Sequence, residues 1–143
     1  MRIAIDFDGT IVEHMYPGIG REMLFAFDTM KELQKQKHRL ILWTYRSGKE
    51  LDEAVEFCRE NGVEFYAVNK NYPEEQWDGS ASRKIQADVY IDDLNLGGFP
   101  GWSAVWQMLN PVDDDPQKQI RQLPKVKRNF FSRLFRSGTM KKD

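Results

Sequence analysis

Arg2-Ile3-Ala4-Ile5-Asp6-Phe7-Asp8-Gly9-Thr10 is an apolar, partly β-branched run that stops abruptly on two carboxylates and a glycine. The run predicts a first strand over 2–6, with the chemistry beginning where the strand ends. The pattern recurs downstream. Arg39 to Thr44 contains Leu40-Ile41-Leu42-Trp43, a short continuous apolar run of the kind covered on both faces of a sheet, and predicts a second strand ending at Thr44. Phe65 to Val68 predicts a third strand, and Asp88 to Asp92 a fourth, again ending in acid.

Helical spacing fills the gaps. After a loop punctuated by Gly9, Pro17, Gly18 and Gly20, the residues Met23, Phe27, Met30 and Leu33 predict a helix that begins after Arg21 and runs to about Gln36. Ser47-Gly48-Lys49-Glu50 has the form of a capping box. The helix it opens places Leu51, Val55 and Cys58 on one stripe and stops at Asn61-Gly62. Asn69 to Arg83 is polar and aperiodic, a loop. Trp102, Val105, Trp106 and Leu109 predict a last amphipathic helix. Strands alternating with helices make this an α/β protein: a three-layer, Rossmann-like domain with a mainly parallel sheet and helices on both faces.

The chain has 143 residues, 41% hydrophobic and 13% aromatic, enough for one packed core and too few for two. Packing is expected to end near Asn110, giving a domain over 1–110 and a basic tail over 111–143. The group Phe130, Phe131, Leu134 and Phe135 would make one face of a short amphipathic helix if the tail is not partly disordered. From Gln117 to Asp143 there are nine Lys or Arg and one acid; the rest of the chain carries twelve basic and twenty-one acidic residues. An acidic body with a basic tail argues against nucleic acid as the partner of the domain. The longest unbroken apolar run is Met23 to Phe27, five residues, far short of the ~20 needed to span a bilayer. Asp6 interrupts any secretory apolar region. One cysteine, Cys58, cannot form an internal disulfide, so the expected compartment is the cytoplasm and Cys58 is expected in the core.

In doubly wound sheets ligands sit beyond the carboxyl ends of the strands, and these ends are polar. The first runs into Asp6 and Asp8, the second into Thr44, the fourth into Asp92 and Asp93. If the three strands are adjacent, four carboxylates converge. Repulsion among them is relieved most simply by a hard divalent cation with oxygen ligands, inferred to be Mg²⁺. Asp6 and Asp8, two apart, can divide labour, one as an ionised nucleophile and the other exchanging a proton. Gly9 allows a sharp turn that aims backbone amides at an anion. Thr44 supplies a hydroxyl and Lys84 a positive charge, which together are what a transferring phosphoryl group needs.

Residues 1 to about 110 resemble the haloacid-dehalogenase-like phosphohydrolases. The resemblance is carried by the apolar strand with Asp6-x-Asp8-Gly9-Thr10, the strand ending at Thr44, the lysine Lys84, and the strand ending at Asp92-Asp93. It implies a phosphomonoester hydrolase working through an aspartyl-phosphate. Asp6 would attack phosphorus, and Asp8 would protonate the leaving alcohol and then activate water. Thr44 and Lys84 would hold phosphate. Asp92 would complete the Mg²⁺ site with Asp6 and the Asp8 carbonyl, with Asp93 a water-mediated ligand or an orienter of Lys84. Lys84, expected where a short helix leads into the fourth strand, is favoured over Lys70 for the lysine role. Gly9, Thr10, Tyr45 and Arg46 are further candidate substrate contacts. Neither Ile11–Gly20 nor Asn69–Arg83 is long enough for the family's cap domain. A capless, open site leaves water exclusion to a sister subunit or to the substrate, expected to be a phosphorylated small molecule.

Each residue has a plainer reading. Trp77 either stacks on a sugar or base or anchors its loop, the commoner use. His14 is placed in a solvated loop, and His38 is assigned no role. The whole can also be read as a phosphate- or metal-binding regulatory protein without turnover, although both members of the Asp6, Asp8 pair are retained. A response-regulator receiver domain would place its acceptor after the third strand, which the order here excludes.

Overall fold

The computed structural model describes residues 1–80 and 82–112. The chain divides into two units, Met1–Asn110 and Pro111–Asp143; the proposed amphipathic tail helix lies outside the described residues. Among the described residues the first unit holds four strands and three helices. They are β1 (Arg2–Ile5), α1 (Ala26–Lys35), β2 (Arg39–Leu42), α2 (Gly48–Glu60), β3 (Ala67–Val68), β4 (Val89–Ile91) and α3 (Trp102–Leu109), with β3 and β4 following one another without a helix between them. All pairings are parallel, in the order β3-β2-β1-β4. The protein is therefore α/β, with an open, Rossmann-like sheet.

Alternation along the strands sorts side chains to two faces. Ile3 and Ile5 of β1, Leu40 and Leu42 of β2 and Ile91 of β4 share one buried cluster with Met30 and Leu33 of α1, Ala54 and Cys58 of α2, and Trp102 and Val105 of α3. Fully burying each Ile or Leu contributes on the order of 1.5–3 kcal/mol, so this face carries most of the stability. Ala4 and Ile41 point the other way, onto Ala67 and Ile85, with Trp43, Tyr66, Ala87 and Tyr90 around them. Helices were expected on both faces. The buried side chains of all three helices join the first, and the third layer comes instead from the segment between β3 and β4. Its end is pinned by the Tyr90 hydroxyl, which donates to the Ile85 carbonyl.

Three local expectations are corrected. Helix α1 starts at Ala26, not after Arg21. Residues 21–23 instead run antiparallel to 11–13: Glu13 N–H donates to Arg21 O and Met23 N–H to Ile11 O. Phe25 then turns through a left-handed conformation before the helix begins. The capping box does not form, since Ser47 precedes α2 without a side-chain cap bond. Among the described residues, no helix precedes β4 around Lys84. The Asn61-Gly62 stop holds: Gly62 has φ +83°, and Val63 N–H reaches back to Cys58 O. Cys58 is fully buried, and burial pushes its thiol up to about 12, so it is core. Among the described residues, no helix is long and apolar enough to cross a membrane.

Candidate functional site

Strand order reverses between β1 and β4, because the chain leaves β1 toward β2 on one side and returns to β4 on the other. A crevice at the carboxyl ends follows from that reversal. Register Ile5↔Ile91 brings the two strand tips together, and Asp6 N–H donates to Ile91 O at 2.9 Å. Asp6, Asp92 and Asp93, all half-buried, each offer a carboxylate oxygen within 4.8 Å of the others. Burial is the largest cause that raises the Asp6 carboxyl from its ordinary 3.8 to about 7; the Phe7 backbone N–H opposes the rise, and the Asp92, Asp93 and Asp8 charges add to it. Three close carboxyl groups, one driven toward protonation, form an oxygen donor set that suits a hard divalent cation.

Asp8 is not the fourth member. Its carboxylate is held by Arg46 in a two-pronged pair, Nε to Oδ2 at 2.7 Å and Nη2 to Oδ1 at 2.7 Å. The Arg46 side chain is 1% exposed and that of Asp8 12%. The guanidinium also donates to Pro17 O at 3.0 Å and Gly18 O at 2.6 Å. It lies 4.8 Å from the Phe7 ring centroid and 5.3 Å from that of Tyr16. Hydrogen bonding to Asp8 raises the Arg46 pKa further. Arg46 lines the pocket, but its donors are spent on Asp8 and the 16–18 loop and not on a ligand, the role expected from its position after Thr44.

Gly9 makes the approach of Asp93 feasible. Its φ is +79°, and a Cβ there would lie 2.2 Å from Asp93 Oδ2 and 2.6 Å from Asp93 Cγ. Gly9 thus shapes the cluster. Gly9→Ala should cost about 1–2 kcal/mol from the left-handed backbone and rotate Asp93 out of the triad. Thermal melting and a divalent-ion titration check this. Unchanged ion affinity would show that Asp93 takes no part in ion binding.

Thr10 was a candidate ligand contact and is not one here. It is fully buried, its carbonyl accepts the Trp102 indole N–H at 2.8 Å, and its hydroxyl has no protein partner. The carbonyl bond anchors α3 beneath the turn carrying Asp8. Thr44, by contrast, lines the pocket. Its N–H donates to Asn69 Oδ1 at 2.8 Å, and its Oγ1 accepts the Arg46 N–H at 3.2 Å. With Oγ1 used as an acceptor, the hydroxyl hydrogen is available to donate. Asn69 sits at φ +51° beyond β3 and its Nδ2 also donates to Arg46 O at 3.4 Å. Sequence reading missed this brace of the β2 tip. An asparagine just after a strand, a residue type that tolerates left-handed backbone, was its one signal.

A pocket of about 630 Å³ adjoins Asp6 and Asp92 and extends past Thr44 and Tyr45 to Trp77 and Arg83. Lys84 does not line it: the side chain is exposed and its Nζ lies 5.2 Å from the Tyr90 ring centroid. Lys70 is also outside, its Nζ donating to Pro73 O at 2.5 Å. Among the described residues the cations lining the pocket are Arg46 and Arg83. A second cavity, about 570 Å³, opens at the opposite strand ends among Arg2, Arg39 and Tyr66, away from the triad.

An open parallel sheet with three carboxylates gathered at its switch point defines the class: an α/β, Rossmann-like protein. Among solved structures, the chain is similar to a conserved protein coded by a locus of Bacteroides thetaiotaomicron. The two are 59% identical over 76% of this chain and 88% of that one, with a TM-score of 0.73. The chain belongs to the family of that conserved protein. No family model matches the chain, and neither does any curated protein.

Proposed function

We propose that the chain is a capless, haloacid-dehalogenase-like phosphomonoester hydrolase that uses Mg²⁺ and works through an aspartyl-phosphate, an acyl phosphate on Asp6. The observation that carries this reading is the meeting of Asp6, Asp92 and Asp93 at the tips of two adjacent parallel strands. These three residues would hold the cation, which when bound offsets their mutual repulsion and the charge of a phosphoryl group.

The chain's own residues do the rest. An Asp6 oxygen bonds to phosphorus as the bond to the leaving alcohol breaks, and Asp8, having taken a proton from solvent on release of a guanidinium bond, gives that proton to the departing oxygen. Water then bonds to phosphorus, its proton passes to Asp8, and the bond to Asp6 breaks to restore the carboxylate. Thr44 donates to a phosphoryl oxygen from the β2 tip. Asp8 reaches the reacting oxygen by exchanging at least one of its two guanidinium bonds. Lys84 would serve phosphate only by leaving the Tyr90 ring; of the two cations lining the pocket among the described residues, Arg46 is paired with Asp8, which leaves Arg83 to face a phosphate. The substrate is a phosphorylated small molecule, and water exclusion falls to it or to a second copy of the chain. A free, buried Cys58 suits a reducing cytoplasm.

The commitment of Asp8 to Arg46 favours a second reading, a metal- or phosphate-binding regulatory protein of the same fold. One assay separates them. Purified protein should release phosphate from 4-nitrophenyl phosphate with Mg²⁺ and stop when EDTA is added. Mg²⁺ binding without any turnover would leave the regulatory reading.

A further inference from the structure

The pocket is larger than a phosphoryl group requires. At about 630 Å³ it falls in the range that encloses a whole drug-sized ligand. The end at Asp6, Asp92 and Thr44 is where a phosphate held through a cation would sit. The rest of the lining sets three rings among polar side chains, Arg83 among them. Trp43 is half-buried against the second-face core, Tyr45 is 97% exposed just past the β2 tip, and Trp77 is half-exposed on the loop after β3. The Arg83 guanidinium lies 4.6 Å from the Trp77 ring centroid, a second flat surface on the same wall. This wall is braced. Asn71 N–H and Nδ2 donate to the two Glu75 oxygens at 2.5 and 2.7 Å, while Asn71 Oδ1 accepts the Gln86 N–H at 2.6 Å. Both ends of the loop bearing Trp77 and Arg83 are thereby tied to one side chain.

A carboxylate and hydroxyl end continuous with an aromatic wall suits a ligand that is charged at one end and flat at the other. Building on the phosphatase reading, we propose that the substrate is a phosphomonoester whose alcohol carries a planar heteroaromatic ring, in chemical class a nucleoside monophosphate, with the ring against Trp77 and Tyr45. Stacking of a base on an aromatic side chain is typically worth from about fivefold to about a hundredfold in affinity.

The test compares nucleoside 5′-monophosphates with ribose 5-phosphate, which presents the same primary alcohol to the reacting end but no ring. With Mg²⁺, kcat/KM should favour the nucleotides at least tenfold. Trp77→Ala and Tyr45→Ala should each lower that ratio, and Trp77→Phe should restore most of it. A ratio near one in the wild-type protein would overturn the proposal while leaving the phosphatase reading in place. If neither compound is hydrolysed while 4-nitrophenyl phosphate is, the proposal is overturned and the phosphatase reading stands; if none of the three is hydrolysed, the phosphatase reading fails and binding decides. Calorimetry on Asp6→Asn with Mg²⁺ should still give tenfold tighter binding of the nucleotide, and equal binding would overturn the proposal. Tighter capture of a 5′-phosphorylated oligonucleotide than of a mononucleotide would also overturn it, in favour of nucleic acid.

Discussion

Arg46→Met should lower the melting temperature by on the order of 15 °C. The substitution leaves the Asp8 carboxylate, 12% exposed, without its guanidinium, and orphans the carbonyls of Pro17 and Gly18. Removing one partner of a buried pair costs about 3–5 kcal/mol, because the other charge stays desolvated and unpaired. Total stabilities are only about 5–15 kcal/mol, and a kcal/mol is about 4 °C or more for a domain of this size. Arg46→Lys should recover less than half of the loss, since an ammonium is a point charge and cannot supply the planar fork that reaches two carboxylate oxygens and two carbonyls together. Because the pair is buried, the loss should differ little between low and high salt, unlike that of the exposed Arg21–Glu13 pair. In a double-mutant cycle, Asp8→Asn with Arg46→Met should be less destabilised than the sum of the two single changes. Melting of Arg46→Met within about 2 °C of wild type would show that the pair contributes little.

Asp6→Asn should abolish turnover and, in the absence of divalent ions, raise stability. Loss of the attacking carboxylate should reduce phosphate release by roughly 10³-fold or more, since an amide neither forms the acyl phosphate nor leaves from it. The stability effect has the opposite sign and a defined pH window. The Asp6 carboxyl titrates at about 7 in the folded protein against an ordinary 3.8, so between these values the folded state binds more proton than the unfolded. Stability therefore falls as pH rises from about 4 to about 7, and the penalty is fully present above that range. Melts in EDTA at pH 5, 6, 7 and 8 should show the wild-type protein weakening across the series, while Asp6→Asn changes less and melts higher at pH 8. Mg²⁺ at pH 8 should restore the wild type through binding to the folded state alone and restore the variant less. A wild-type melting temperature that does not fall between pH 5 and 8 in EDTA would remove the premise of an Asp6 carboxyl raised by burial, with its neighbouring carboxylates adding to the rise.

Much of this was legible along the chain. The runs around Ile3, Leu40 and Tyr90 identify strands because a buried parallel strand must be apolar on both sides, and the acids that end them mark where apolar burial stops. Boundaries were less legible. The spacing of Met23 with Phe27 mimics a helix, yet residues 21–23 pair with 11–13, since backbone groups near a tight turn took the nearest partner strand over a marginal helical turn. Ser47 and Glu50 carry the composition of a capping box without forming its side-chain bond.

The order of strands and helices and the chemical character of the strand tips follow from neighbouring residues and their period. Tertiary structure alone decided which carboxylates share a site. Asp6 and Asp8 are two residues apart and part company: Asp6 joins Asp92 and Asp93 through the β1–β4 register, while Asp8 turns to an arginine 38 positions away. The reason is physical. A carboxylate entering the interior must find a counter-charge or a cation, and which of these lies within reach depends on the path of the whole chain.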